Sequence, residues 1–185
     1  MFVFGDVDFE NELDVISVSR SLLPPQKVVT FDVLGRPGTF FIMKEDRPRV
    51  LPVEVVIRAD QELRFEEKMR DVASKLDYEG PQKLIFKDAP DRYIMAIVNG
   101  ETVIDEIVNH GRTTIEFFCP DPYWYAVEDD VMSWSEPGTY TLDRKGTAVS
   151  YPKIEIQGSN VGGSIQLVTD NADITFTGEL AAGET

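Results

Sequence analysis

Four kinds of side chain in this sequence could carry chemistry: a single histidine, a single cysteine, several close carboxylates and a run of aromatic rings. His110 lies in VNHGR, which reads as a turn between strands. A general base needs a nucleophile and an orienting acid beside it, and a metal ligand needs companions; no HxH or HxxH spacing supplies them. A solvated loop histidine is the expectation. Cys119 stands between Phe118 and Pro120 with no cation adjacent to lower its pKa, so it reads as a buried structural thiol. Glu66 with Glu67, Asp88 with Asp91 and Asp129 with Asp130 are close in sequence. Glycosidases work with two carboxyls held a few ångströms apart. In a chain with 33 acidic residues such neighbours arise by chance. TDNAD, with Asp170, Asn171 and Asp173, has half the spacing of a calcium loop but lacks the glycine and the distant glutamate. GRPG (35–38) and NVGG (160–163) lack phosphate-cradling spacing and read as turns. No catalytic residue, cofactor or metal ion is therefore expected.

The aromatic run is the less ordinary feature. FFCPDPYWY (117–125) begins as a strand and then meets Asp121 between Pro120 and Pro122. A residue before proline is pushed out of helical geometry, so the strand should end in a fixed corner. Tyr123, Trp124 and Tyr125 follow. They can plug a gap where the chain leaves a domain, each ring burying on the order of 150 Å² or more, or they can form an exposed platform for stacking sugars. Packing is the expected use.

Composition narrows the classes. The chain has 185 residues, 42% of them hydrophobic, enough for one good core and part of another. No apolar run approaches the roughly 20 residues of a membrane helix, so no membrane insertion is expected. The opening MFVFGDVDFENELD lacks a basic region and meets Asp6, Asp8 and Glu10 at once, which argues against export by this segment. One cysteine excludes an internal disulfide and fits folding in a reducing cytoplasm. The net charge of −15 repels nucleic-acid phosphates, though DNA sliding past without adhering is permitted.

The elements that would position these residues are mostly strands. Phe2, Phe4 and Val7 alternate. KVVTFDVLG (27–35) and TFFIM (39–43) flank GRPG, so Gly35 and Gly38 make a hairpin tip. LPVEVVIR puts Leu51, Val53, Val55 and Ile57 on one face. The period then changes: Phe65, Met69, Val72, Ala73 and Leu76 recur at helical steps over 60–76, with Asp60 as N-cap and Glu62 suiting the dipole. KLIF (83–86), RYIMAIV (92–98) and RTTIEFFC (112–119) are further strands, the last placing Thr113, Ile115, Phe117 and Cys119 together. Residues 125–151 are polar and turn-rich. KIEIQ, SIQLV and DITFT then alternate as three short strands, and GELAAGET resembles the start of another. The fold class is α+β, mainly β: antiparallel sheets of β-sandwich or split-barrel type with one covering helix.

Read in order, these pieces resemble the N-terminal domain of the distal tail proteins of phages with long, flexible, non-contractile tails. The order is SRSLLPP, a strand, GRPG, a strand, LPVEVVI, one helix, KLIFKDAPDRYIMAIVNG and RTTIEFFCPDPYWY. Phe86–Tyr93 and Phe117–Tyr125 are the most specific segments, and the match covers 15–125. The resemblance implies a ring-forming domain over 1–128, a linker over 129–150 and, over 151–185, the incomplete start of a galectin-like β-sandwich. It marks Gly35, Gly38, Asp88, Pro90, Tyr93, Phe117, Cys119, Asp121, Pro122, Tyr123 and Trp124 as structural signature residues. It also implies a homo-hexameric ring at the distal end of the virion tail. The ring's partners would be the tail tube protein and a tail-associated hub, lysin or fibre protein, with DNA only in transit. Two other readings stand beside it: a carbohydrate-binding module using Tyr123, Trp124, Tyr125 or the terminal strands, and a hydrolase using an acidic pair.

Overall fold

A computed structural model describes residues 1–58, 62–100, 104–107, 110–143, 145–159, 162–169 and 172–179. The proposed N-cap Asp60, the turn residues Asp170 and Asn171 and the segment 180–185 lie outside the described residues. The chain divides into two compact units, Met1–Pro137 and Gly138–Thr185.

In the first unit the strands are β1 (Phe2–Phe4), β2 (Val7–Asp8), β3 (Asp14–Val18), β4 (Gln26–Asp32), β5 (Thr39–Asp46) and β6 (Arg49–Arg58). The helix α1 (Glu62–Leu76) follows, then β7 (Gln82–Phe86), β8 (Arg92–Asn99), β9 (Asp105–Ile107), β10 (His110–Cys119) and β11 (Tyr125–Ala126). Nine of these strands join one antiparallel sheet in the order β2-β1-β7-β8-β10-β6-β3, with β11 on β8 and β9 on β10. The alternation read in β6 is realised: Leu51, Val53 and Val55 are fully buried and Ile57 nearly so. Opposite them in β10, Thr113, Ile115, Phe117 and Cys119 face inward as expected.

The sheet curls around its core. In the strand order β1 lies three places from β10, which in a flat sheet is about 14 Å. Yet the Phe4 and Phe117 ring centroids are 5.1 Å apart and those of Phe2 and Phe117 5.5 Å. Phe9 stacks on Phe2 at 5.1 Å, closing the aromatic centre. Rings that bury this much area contribute a few kcal/mol each, at ~25 cal/mol per Å². The β1–β2 turn is fixed by Gly5, whose φ is +60°. A Cβ there would also lie 2.6 Å from the Tyr78 hydroxyl, so both backbone and space require glycine.

Helix α1 covers the sheet through Phe65 and Val72, both buried, with Met69 and Leu76 packed beside them. Ala73, expected on this stripe, is exposed, because the buried strip is narrower than the pattern allowed. Gly111 of β10 permits the helix to come close: a Cβ there would stand 2.5 Å from the Phe65 ring. Glu12 anchors the helix from the other side, bonded to Lys68 and, at 2.7 Å, to Lys75. Of VNHGR, expected as a turn, Val108 and Asn109 lie outside the described residues, whereas His110, Gly111 and Arg112 are already in β10, with the backbone of His110 paired to Arg58.

In the second unit, β12 (Ser164–Val168) and β13 (Asp173–Thr177) pair over five positions. They match the SIQLV and DITFT strands. KIEIQ is not a strand. Alternation alone cannot hold an extended segment without a ladder partner, and Ile154 is about half exposed.

Candidate functional site

The strands β4 and β5 stand apart from the main sheet. Their tip is at GRPG as expected, with Gly35 and Gly38 at φ +79° and +82°. They hydrogen-bond to each other and to no other described strand. Register puts Phe31 opposite Phe40, with rings stacked at 5.0 Å, and Val29 opposite Met43. These four side chains share one face by the two-residue period. The other face carries Val28, Thr30 and Phe41. The pairing shifts between Val29 and Thr30, so Ile42 is the extra residue of a bulge, which bends the ribbon. Phe41 is 65% exposed, Leu34 fully so, and Val28, Phe31, Ile42 and Met43 about half. A ribbon of two strands with one apolar face, and with Val28 and Phe41 exposed beside Thr30 and Lys44 on the other, is marginal in water unless it packs on something. The alternation was legible in the sequence, but not that the ribbon would leave the core; a strand apolar on both faces was the available signal.

Two of the residues marked by the motifs, Asp88 and Tyr123, hold the chain on either side of this hairpin, through Arg20 and Asp46. Asp88 takes a forked pair of bonds from Arg20, at 2.5 and 2.8 Å, while the Arg20 guanidinium lies 4.5 Å from the centre of the Phe86 ring. Those bonds hold the Asp88 carboxyl below its ordinary range. Asp46, the last residue of β5, accepts a bond from the Tyr123 hydroxyl at 2.6 Å and another from the Gln26 amide at 2.8 Å. Tyr123 first, then Gln26, lowers the Asp46 pKa, and Asp46 in turn raises that of Tyr123. Asp121 accepts from the Tyr123 amide at 3.0 Å and from the Tyr125 hydroxyl, which pushes the Tyr125 phenol up to about 12.

The aromatic corner therefore differs from the expected plug. Only Trp124 packs inward, 6.2 Å from Phe86. Tyr123 and Tyr125 are 39% and 42% exposed, because their hydroxyls are bonded to surface carboxylates. Nor does the chain leave the domain here. Pairing on β8 runs from Phe118 with Ile97 to Tyr125 with Tyr93. Six residues (119–124) therefore stand between these pairs against three (94–96) on β8, so the pairing is interrupted at the corner and resumes on the same strand. Pro122 is buried within the corner. Tyr93 stacks on Tyr125 at 5.7 Å and carries Lys83 4.6 Å above its ring. Pro90 lies in the exposed turn between β7 and β8.

As for chemistry, Cys119 is fully buried, and burial pushes its thiol up to about 11 against the opposing Arg49 charge. That is the reverse of an activated nucleophile. Of the acidic pairs, Asp88 is committed to Arg20 and Asp91 to Arg92 at 2.9 Å. Among the described residues no group of three or more His, Cys, Asp or Glu is arranged to hold a metal ion. No described helix is long and apolar enough to cross a membrane.

No curated protein sequence matches the chain. Among solved structures it is similar to the Dit protein of SPP1, described as a paradigm of the hub adsorption apparatus in phages infecting Gram-positive bacteria, with 17% identity and a TM-score of 0.62. The similarity covers 68% of this chain and 51% of that one, so the chain spans about half the length of the SPP1 protein. Residues 12–119, more than half of the chain, match the family model of the phage tail protein RIFT-related domain. That span holds the helix, the hairpin, Arg20, Asp46 and Asp88, and stops just before Asp121 and Tyr123. The chain therefore belongs to the phage tail protein RIFT-related domain family.

Proposed function

We propose that this chain is a non-catalytic structural subunit of the distal end of a phage tail. Six copies close into a ring that joins the tail tube protein to a tail-associated hub, lysin or fibre protein, and DNA crosses the bore. The observation that carries the reading is the β4–β5 hairpin, an apolar ribbon that projects with both faces exposed. A second copy is its natural seat. When the arm of one subunit packs on the body of the next, the contact is head-to-tail, and such contacts repeat until a ring closes. Six copies carry 6 × −15 = −90 formal charges. Contacts between them must be apolar or locally paired, as the hairpin is, and acidic residues facing the bore keep DNA from adhering. A mapped bore that is neutral or basic would contradict that part. The β12–β13 pair is assigned as the opening of a second, β-sandwich domain after a polar linker. A sugar platform at the corner is disfavoured, since Trp124 packs on Phe86 and both tyrosine hydroxyls are occupied.

The test is native mass spectrometry and negative-stain microscopy of the full chain across a concentration series, beside Phe41→Ser. The wild type should form hexameric rings. The variant should need about tenfold more protein to do so, a loss of about 1.4 kcal/mol per contact, with its melting temperature unchanged. Rings of equal strength in both chains would remove the hairpin from the contact.

A further inference from the structure

We infer that the two signature segments, Phe86–Tyr93 and Phe117–Tyr125, serve as paired brackets that fix the direction in which the β4–β5 hairpin leaves the body, with Arg20 and Asp46 as the residues gripped. The inference rests on the reading of the hairpin as a docking arm and assigns what aims it.

The leg entering the hairpin runs from Ser19 to Gln26. Its start is tied to the body by the Ser19 amide, which donates to Pro52 at 3.0 Å. Arg20 then forks onto Asp88 and lies over Phe86. Pro24 and Pro25 stiffen the leg just before β4. The leg leaving the hairpin is held at Asp46 by Tyr123, and Asp121 orients Tyr123 through its backbone amide. The legs are also tied to each other: Gln26 donates to Asp46, and the Arg47 amide donates to the Pro25 carbonyl at 2.7 Å. One pin would leave the root a pivot. Two pins on opposite legs, their brackets meeting at Phe86, remove it.

Leverage explains why this matters more for aim than for stability. The Arg20–Asp88 pair is solvent-exposed, with Asp88 62% accessible, and such pairs add little to folding. Forked geometry, however, fixes direction. Seven paired residues extend about 23 Å from root to tip, so a root rotation of about 10° moves the tip by about 4 Å. Close-packed interfaces tolerate far less. Neither pin touches the apolar tip, so both act by positioning.

The test places spin labels at Leu34→Cys on the tip and Glu67→Cys on α1, and measures their separation by pulsed electron resonance in dilute full-length chain; Cys119 is buried and stays unlabelled. The wild-type distribution should be narrow. Arg20→Gln with Tyr123→Phe should broaden it about twofold while leaving the melting temperature nearly unchanged, and should weaken ring formation in parallel. In the Tyr123→Phe background, exchanging Arg20→Asp with Asp88→Arg should restore much of the narrow distribution, which a merely structural loss would not allow. A broad distribution in the wild type, or a narrow one in the double variant, overturns the inference. A wild-type chain that shows a narrow distribution yet never forms rings overturns the assembly reading and leaves the brackets standing.

Discussion

Cys119 sits opposite Arg49 at the start of β6, fully buried, and its thiol is pushed up to about 11 by that burial. Its thiolate is therefore scarce at neutral pH. In the folded chain a thiol reagent should modify it at least about a hundredfold more slowly than in denaturant; equal rates would show that the strand pair opens readily. The carboxylates make a second prediction. Asp8, Glu12, Asp46, Glu54 and Asp88 are all held below their ordinary values, chiefly by side-chain hydrogen bonds from Lys87, Lys68, Tyr123, Arg112 and Arg20 respectively. A depressed folded pKa gives stability that is present above the unfolded value, about 3.9 to 4.3, and lost as pH falls through the folded one. Melting temperature should thus be flat from about pH 7 to 5 and fall below about pH 4. A fall that is complete by pH 5 would contradict these pairings. Residue types alone could place Cys119 in the core, because it follows Ile115 and Phe117 on the inward face. They could not pair Tyr123 with Asp46, 77 positions away, since nothing in a local spacing records a contact made by the fold.

The helix and the hairpin respond to opposite constraints. Helix α1 is pressed onto β10 at Gly111, where a Cβ would meet Phe65 at 2.5 Å and Ile104 at 2.6 Å. Gly111→Ala should therefore destabilise the unit by about 1 to 3 kcal/mol through overpacking, read by chemical denaturation. A neutral or stabilising change would mean that the helix can lift away. The hairpin has no such cover. Amides over 26–46 should exchange faster than those of β6 and β10 in dilute subunit, and gain at least about tenfold protection on assembly, as followed by hydrogen–deuterium exchange with mass spectrometry. Protection already present in the monomer would show an intramolecular seat. Strong periodicity made β6, α1 and β10 legible in the sequence, and two glycines marked the hairpin tip. The failures share one cause. KIEIQ has the right alternation but no ladder partner among the described residues, and Pro120–Trp124 looks like an exit because an interruption between two stretches paired to β8 carries the same prolines as a true end. Partners across the sheet decide both, and they are set by tertiary structure.

For the whole molecule, the charge and the apolar arm act against each other. Copies with a net charge of −15 repel at long range, while in the proposed assembly the exposed hairpin supplies the attraction at contact. Salt screens the first and leaves the second, so ring formation should strengthen with ionic strength. The fold class was legible in the strand and helix periods, and the tail-protein family in the order of segments over 15–125, nearly the span 12–119 that the family model matches. The separation of the β4–β5 hairpin from the main sheet was not, because exposure is a property of the folded chain. The most direct test of the central claim is the mass of the full-length protein by sedimentation velocity at high concentration, in about 0.05 M and about 0.5 M salt, where the Debye length shrinks from about 14 Å to about 4 Å. The account predicts a discrete hexamer that gains population at the higher salt and is lost in Phe41→Ser. A monomer at every concentration and both salts, or an oligomer indifferent to Phe41, would contradict it.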